Sequence, residues 1–336
     1  MAKTAVIGAG SWGTALALVL ADNDNDVIVY DIDEGVINDI NENHRNSKFF
    51  DDVALPENLT ATTELETALR GARYALLSVP TKVMRDVLTN MKEFLPSNAI
   101  IINSSKGIEP GTHKRVSEVV AEVLGEEKIF VSLSGPSHAE EVVLREITTV
   151  TCAGHDLEVL FEIQQIFSNR YFRVYRTTDL IGVEVGGSIK NVMALGSGIL
   201  AGLGYGDNAR AFLITRSLIE IKCLGIALGA QEETFNGLSG LGDLIVTTMS
   251  KYSRNFQAGY KIGNGKDLNE VIDSMSMVVE GIRSCQATYE LAQKYEIDMP
   301  FVDAIYDVVF NRNNPREVIG KMMQRPLMAE VTKRRK

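Results

Sequence analysis

Apolar and polar positions change rhythm about halfway along the chain. Up to residue 177, short apolar runs alternate with amphipathic stretches. Residues 4–7, 27–30, 74–79, 99–102, 129–131, 147–152 and 172–175 read as strands, with helices over 14–20, from Glu34 onward and over 81–94. From residue 178 the spacing turns helical and stays so, over 178–202, 207–228, 256–262, 267–275, 280–296, 300–310 and 315–323. The pattern predicts an α/β domain with a doubly wound sheet over 1–177 and an all-helical domain over 178–336. Residues 41–58 are polar, aperiodic and broken by Pro56, which predicts a long loop, and the glycine-bounded segment 237–243 between helical stretches also reads as a loop.

The stretch at the change of rhythm stands apart. As a helix, 178–202 is apolar nearly all round, with Val185, Ile189, Val192, Leu195, Ile199 and Leu200 over most of its circumference. Its one cation, Lys190, shares the remaining face with Gly186, Gly187, Ala194, Ser197, Gly198 and Ala201. Interior glycines weaken a helix by roughly 1 kcal/mol each. So many on one face imply close approach of something, and a ligand beside Lys190 is the expectation. The bland alternative is a lysine snorkelling from a core helix to solvent.

The first strand runs into Gly8-Ala9-Gly10-Ser11-Trp12-Gly13, a helix follows, and the next strand ends at Asp31. In that context G-x-G-x-x-G is the turn of a Rossmann-type dinucleotide site. Gly8 allows the tight turn, Gly10 lets a pyrophosphate approach the backbone, and Gly13 lets helix meet strand. Asp31 at the strand end suits a ribose 2′-hydroxyl and repels a 2′-phosphate. Neither Tyr30, Ile32 nor Asp33 supplies a cation there, so NAD(H) is favoured over NADP(H). Asp31 or Asp33 serving merely as a helix cap is the alternative. Polar residues also gather after later strands, among them Lys106, Gly135 and Ser137, at the sheet edge where such folds bind ligands. In the helical half, Ser253-Arg254-Asn255 opens an amphipathic helix with a cation in its first turn. That is unfavourable dipole chemistry unless an anion binds there, with Ser253 and Arg254 converging on it.

Composition narrows the choice of function. The net charge of -10 leaves no basic excess for nucleic acid, and the tail 333–336 is too short to change that. No uncharged apolar run reaches membrane-spanning length and no signal peptide is evident, so stable membrane insertion is not expected. Three cysteines without C-x-x-C spacing fit a reducing compartment. The four histidines show no metal-ligand spacing, so no metal is expected.

Taken together, six ordered motifs resemble the bacterial NAD(P)-dependent glycerol-3-phosphate dehydrogenases over essentially the whole chain. They are Gly8-Ala9-Gly10-Ser11-Trp12-Gly13-Thr14-Ala15, Ser105-Lys106-Gly107, Ser134-Gly135-Pro136-Ser137, Gly186-Gly187-Ser188-Ile189-Lys190-Asn191, Gly237-Leu238-Ser239-Gly240-Leu241-Gly242-Asp243 and Ser253-Arg254-Asn255. The resemblance implies a cytoplasmic homodimer that reduces dihydroxyacetone phosphate to sn-glycerol 3-phosphate, a glycerophospholipid precursor. It implies Lys190 as general acid/base with Asp243 beside it, and Lys106, Gly135 and Ser137 at the substrate. Ser253, Arg254 and Asn255 would clamp the phosphate. Cofactor contacts would come from Ser11, Trp12, Lys106, Ala139, Arg254, Val278 and Glu280. Many bacterial members carry histidine or arginine where Asp31-Ile32-Asp33 stands here, so the usual NADP preference is not expected. Another lysine-dependent dehydrogenase, of hydroxyacid or 6-phosphogluconate type, and a nucleotide sensor without turnover are the competing readings. A sensor would need none of Lys106, Lys190, Asp243 and Arg254.

Overall fold

The computed structural model describes residues 2–275, 279–327 and 329–330; Val278 and the basic tail 333–336 lie outside them. Eight strands, β1 (Lys3–Ile7), β2 (Asp26–Tyr30), β3 (Leu59–Thr62), β4 (Tyr74–Leu77), β5 (Ile100–Asn103), β6 (Phe130–Ser134), β7 (Thr148–Ala153) and β8 (Phe172–Thr177), form one sheet in the order β3-β2-β1-β4-β5-β6-β7-β8. Helices α1 (Ser11–Ala21), α2 (Glu34–Asn43), α3 (Leu65–Leu69), α4 (Met84–Met91), α5 (Val116–Leu124), α6 (Ala139–Val142) and α7 (Leu157–Phe167) connect them. Side chains that alternate along a strand enter opposite layers. Ala5 and Ile7 pack with Leu77, Leu88 and Val119 on one face, and Val6 with Leu16, Val29 and Ile102 on the other. Covered on both faces, the central strands carry the continuous apolar runs seen in the sequence.

Two features of the sheet were not anticipated. The short half-polar strand β3 and helices α3, α5 and α7 add to the predicted elements. More consequentially, β7 pairs antiparallel to β6 and β8 parallel to β7, so the last two strands run against the other six. Ala153 therefore lies opposite Ser132 in the middle of β6, with Thr177 beside it, and the chain leaving β8 continues toward the amino ends of the parallel strands.

The helical part starts from that edge. It comprises α8 (Leu180–Gly202), α9 (Asp207–Ala227), α10 (Asp243–Met249), α11 (Arg254–Gly263), α12 (Leu268–Asp273), α13 (Glu280–Lys294), α14 (Pro300–Val309) and α15 (Pro315–Met323) around their own apolar core. Leu180 and Val183 of α8 pack with Ala153 and Phe130 at the start of β6, while Gly187 meets Ser134 at its end. The helix thus runs along β6 from one edge of the sheet to the other, and Lys190 emerges at the carboxyl edge.

The segment 237–243, expected as a loop, instead forms a helical turn, Leu238–Gly242, that leads directly into α10. Its glycines serve packing: a Cβ at Gly240 would stand 2.2 Å from the Phe235 carbonyl oxygen. The 44–58 segment is tied down at several points. Asn46 donates to the Ala9 carbonyl and to Thr14 Oγ1, and Phe50 and Leu55 are buried.

The glycines around Lys190 correct the expectation drawn from them. Added Cβ atoms at Gly198 and Gly202 would lie 2.1 and 2.4 Å from the carbonyl oxygens of Phe256 and Tyr260 on α11, and one at Gly186 would lie 2.6 Å from that of Ser239. On α11, Gly263 presses equally on Ile199. The small-residue face is occupied by protein backbone: it lets two helices meet and does not form a ligand channel.

Candidate active site

Lys190, 6% exposed, donates from Nζ to Asp243 Oδ1 and, at 2.8 Å, to Thr247 Oγ1. Asp243 is fully buried at the first position of α10, and its Oδ2 accepts from Lys106 Nζ at 2.7 Å. Lys106, arriving after β5, also donates to the Gly135 carbonyl at 3.0 Å. Thr247, four residues after Asp243, donates back to the Asp243 carbonyl at 2.7 Å. Two ammonium groups thus share one carboxylate from opposite domains. An ammonium has three hydrogens, and these contacts commit two of those on Lys190.

The electrostatics follow from that count. Burial lowers the Lys190 pKa most, Asp243 opposes the shift and Lys106 adds to it; the result is about 7, far below the ordinary lysine value. For Asp243 burial alone would raise the pKa, but the two lysines outweigh it and hold the carboxyl below its ordinary value. The cluster therefore contains one amine able to exchange a proton near neutrality and one carboxylate that stays charged.

Lys190, Lys106 and Asp243 share a cleft with Gly10, Ser11, Trp12, Ser137, Ala139, Ser253, Arg254, Asn255 and Glu280. At the start of α11, Ser253 accepts from Phe256 N and so caps the helix. Arg254 is exposed along the cleft wall, and among the described residues no carboxylate forms an ion pair with it. Burial of its surroundings lowers its pKa, against the pull of Glu140 and Glu280. Asn255 is more committed than expected: its Nδ2 donates to Asn191 Oδ1 and its Oδ1 accepts from Gly281 N, tying α11 to α8 and α13. Glu280 accepts from Thr81 Oγ1 at 3.2 Å, a contact between the two domains across the cleft.

Gly8, Gly13, Asp31 and Gly135 are not among the residues that line the cleft. Gly8 has φ +108°, and a Cβ there would be 2.6 Å from the Ser78 carbonyl oxygen; one at Gly13 would be 2.0 Å from that of Gly8. Around Gly10 there is open space, and α1 begins beside it without a side-chain cap. The buried indole N–H of Trp12 has no partner among the described residues. Free helix-terminal amides, an open glycine and an unpaired donor suit the diphosphate of a dinucleotide. Asp31 is held rigidly, its two oxygens accepting from Ala9 N at 2.7 Å and Asp33 N at 3.1 Å. Asp33 caps α2, so the capping alternative also holds, at Asp33.

Thr247 and Asn191 were missed from sequence. The i, i+4 spacing of Thr247 from Asp243 was the available signal for the first, and adjacency to Lys190 for the second.

This combination of glycine turn, strand-end carboxylate and buried lysine at the carboxyl edge of the sheet defines a two-domain, nicotinamide dinucleotide-dependent dehydrogenase. Two family descriptions match consecutive parts of the chain: the NAD-dependent glycerol-3-phosphate dehydrogenase N-terminus over residues 3–160 and the corresponding C-terminus over 179–320. A glycerol-3-phosphate dehydrogenase (NAD(P)+) of Bacillus cereus is 51% identical over 333 residues, 98% of each chain. The crystal structure of glycerol-3-phosphate dehydrogenase from Coxiella burnetii superposes with a TM-score of 0.92 at 34% identity, covering 96% of this chain and 99% of that one. The yeast Saccharomyces cerevisiae enzyme of the same name gives 0.83 at 27% identity, over 96% and 99%. The chain belongs to the NAD(P)-dependent glycerol-3-phosphate dehydrogenase family. It is an oxidoreductase that interconverts glycerol 3-phosphate and dihydroxyacetone phosphate.

Proposed function

We propose that Lys190 is the general acid/base of this reaction and that Arg254, with Ser253 and Asn255, holds the substrate phosphate. The observation that carries the reading is the Lys106–Asp243–Lys190 cluster sharing one cleft with an arginine that forms no ion pair among the described residues. The bound nicotinamide supplies or takes the hydride. Lys190 gives its free N–H proton to the ketone oxygen as negative charge develops there, and in the reverse direction takes it from the alcohol. Asp243 holds both lysines in place without competing for the proton, since it remains ionised. Lys106 adds positive charge beside the developing alkoxide. Ser137 and the Gly135 carbonyl border the substrate, and Ser11, Trp12, Ala139 and Glu280 the cofactor.

Because Asp31 presents a carboxylate at the end of β2, NAD(H) is the preferred cofactor. We also infer a cytoplasmic homodimer with the domains dividing at 177/178. The exposed aromatic and apolar residues Phe212, Ile219 and Met323 favour association, and light scattering tests it.

The decisive experiment measures NADH oxidation with dihydroxyacetone phosphate and with unphosphorylated dihydroxyacetone. Arg254→Ala should cost about 2–5 kcal/mol in kcat/KM for the phosphorylated ketone and little for the other. Lys190→Ala should lower kcat by orders of magnitude while NADH binding holds. A Lys190→Ala enzyme with near-normal turnover refutes the assignment.

A further inference from the structure

We propose that Lys48 is the specificity-determining residue through which this chain admits a 2′-phosphate on its dinucleotide, so that use of NADPH is set by the Lys48–Asp33 pair and not by Asp31 alone. The inference rests on the dinucleotide reading of the glycine turn and β2. The strand end itself offers only carboxylates: Asp31, then Asp33, with the highly exposed Ile32 between them and Glu34 following. The cation comes from elsewhere in the chain. Lys48 Nζ lies 2.7 Å from Asp33 Oδ2, and its proton affinity is raised first by Asp33 and further by Asp31, so it stands within the field of both.

The segment bearing Lys48 is fixed to the cofactor turn. Asn46 is almost wholly buried and donates to the Ala9 carbonyl and to Thr14 Oγ1 at 2.9 and 2.8 Å, inside the turn and first helix that face the cleft. Ser47 N donates to Asp39 Oδ2 on α2. These bonds place residue 48 beside β2, although fifteen positions separate it from Asp33. The Lys48 side chain remains 58% exposed and able to change partner.

A ribose 2′-hydroxyl is neutral and needs only an acceptor. A 2′-phosphate carries close to two negative charges and meets repulsion from Asp31 and Asp33. Lys48 can turn from Asp33 to that phosphate, exchanging one ion pair for another, while Asp33 keeps its cap on α2. The pair acts as a reserve cation that NADH does not call upon.

Direct binding of NADPH and NADH, measured by titration calorimetry without substrate, tests this. Lys48→Ala should weaken NADPH roughly fivefold and Lys48→Glu more, with NADH changed less than about twofold. Asp33→Asn retains a good N-cap and should tighten NADPH by freeing Lys48. Adding Lys48→Ala to Asp33→Asn should remove the part of that gain that Lys48 supplies, leaving only the relief of Asp33 repulsion, and salt should compress all these differences. Equal weakening of both cofactors, or no change in either, overturns the proposal. The NAD preference is judged separately, by the wild-type ratio of the two affinities, so either reading can fail without the other.

Discussion

Gly259 of α11 lies so close to Leu195 of α8 that a Cβ on it would stand 2.0 Å from the Leu195 carbonyl oxygen. No side-chain rotation relieves a clash with backbone, so Gly259→Ala must push the helices apart. We expect a stability loss of about 3 kcal/mol by urea denaturation. Arg254 rides on the same helix, and kcat/KM for dihydroxyacetone phosphate should fall as well. Normal kinetics in a destabilised variant would show that Arg254 is held by other contacts.

With its pKa lowered to about 7, Lys190 is protonated below neutrality and neutral above it. In the role proposed for Lys190, ketone reduction draws on the ammonium, so its kcat/KM should fall as pH rises through about 7. Oxidation of glycerol 3-phosphate needs the free amine and should rise over the same interval. Parallel pH profiles in the two directions would remove Lys190 from proton transfer.

Glu184 on α8 accepts from Ser117 N at 2.8 Å, Ser117 Oγ at 2.6 Å and Arg115 Nη1 at 2.9 Å, and its side chain is 5% exposed. It is a buried ion pair joining the two domains at the start of α5. Glu184→Ala takes from Arg115 its buried partner, leaving only the more exposed Glu118 at 3.3 Å, and should cost about 3 kcal/mol in chemical denaturation. Glu184→Gln should cost less, because its carbonyl oxygen still accepts from Ser117.

Glu220 on α9 has its pKa pushed up to about 8 by burial, despite accepting from Phe301 N and Val302 N at the start of α14. A carboxyl with a raised folded-state pKa gives stability that is complete below its unfolded value and is lost as pH climbs through the folded one. From about pH 5 to pH 8, wild type should therefore lose stability relative to Glu220→Gln, which does not titrate there. Melting temperatures of the two across this range check the sign. A constant gap would mean that Glu220 is charged throughout.

Local rules made the glycine turn readable, because Gly8 takes a positive φ and Gly13 meets the Gly8 carbonyl five residues back. Lys190 stood out because one cation in an all-round apolar helix is conspicuous. What that helix faced was not readable: small residues signal close approach without naming the neighbour, and Gly198 and Gly202 met α11 where a ligand was expected. Glycine content likewise made 237–243 look like a loop, although contacts with Phe235 and α8 keep it helical. The reversal at β7 left no local trace, since an apolar run reads the same in either direction. Helix α7 was legible in principle, with Asp156 as its cap, and was simply not read. The Lys48–Asp33 pair left no trace along β2, because fifteen residues separate its two members.

The reversal has a bearing on how the chain can change length. Because β7 and β8 run against β6, α8 begins level with Phe130 at the start of β6 and must climb along that strand before Lys190 reaches Asp243. At 1.5 Å per residue, the ten steps from Leu180 to Lys190 cover about 15 Å, close to the height of the five-residue strand β6. One residue inserted or deleted within that climb would turn the lysine by about 100° and swing the amine off its carboxylate. Natural length variation should therefore be absent from this interval and gather in surface connections elsewhere.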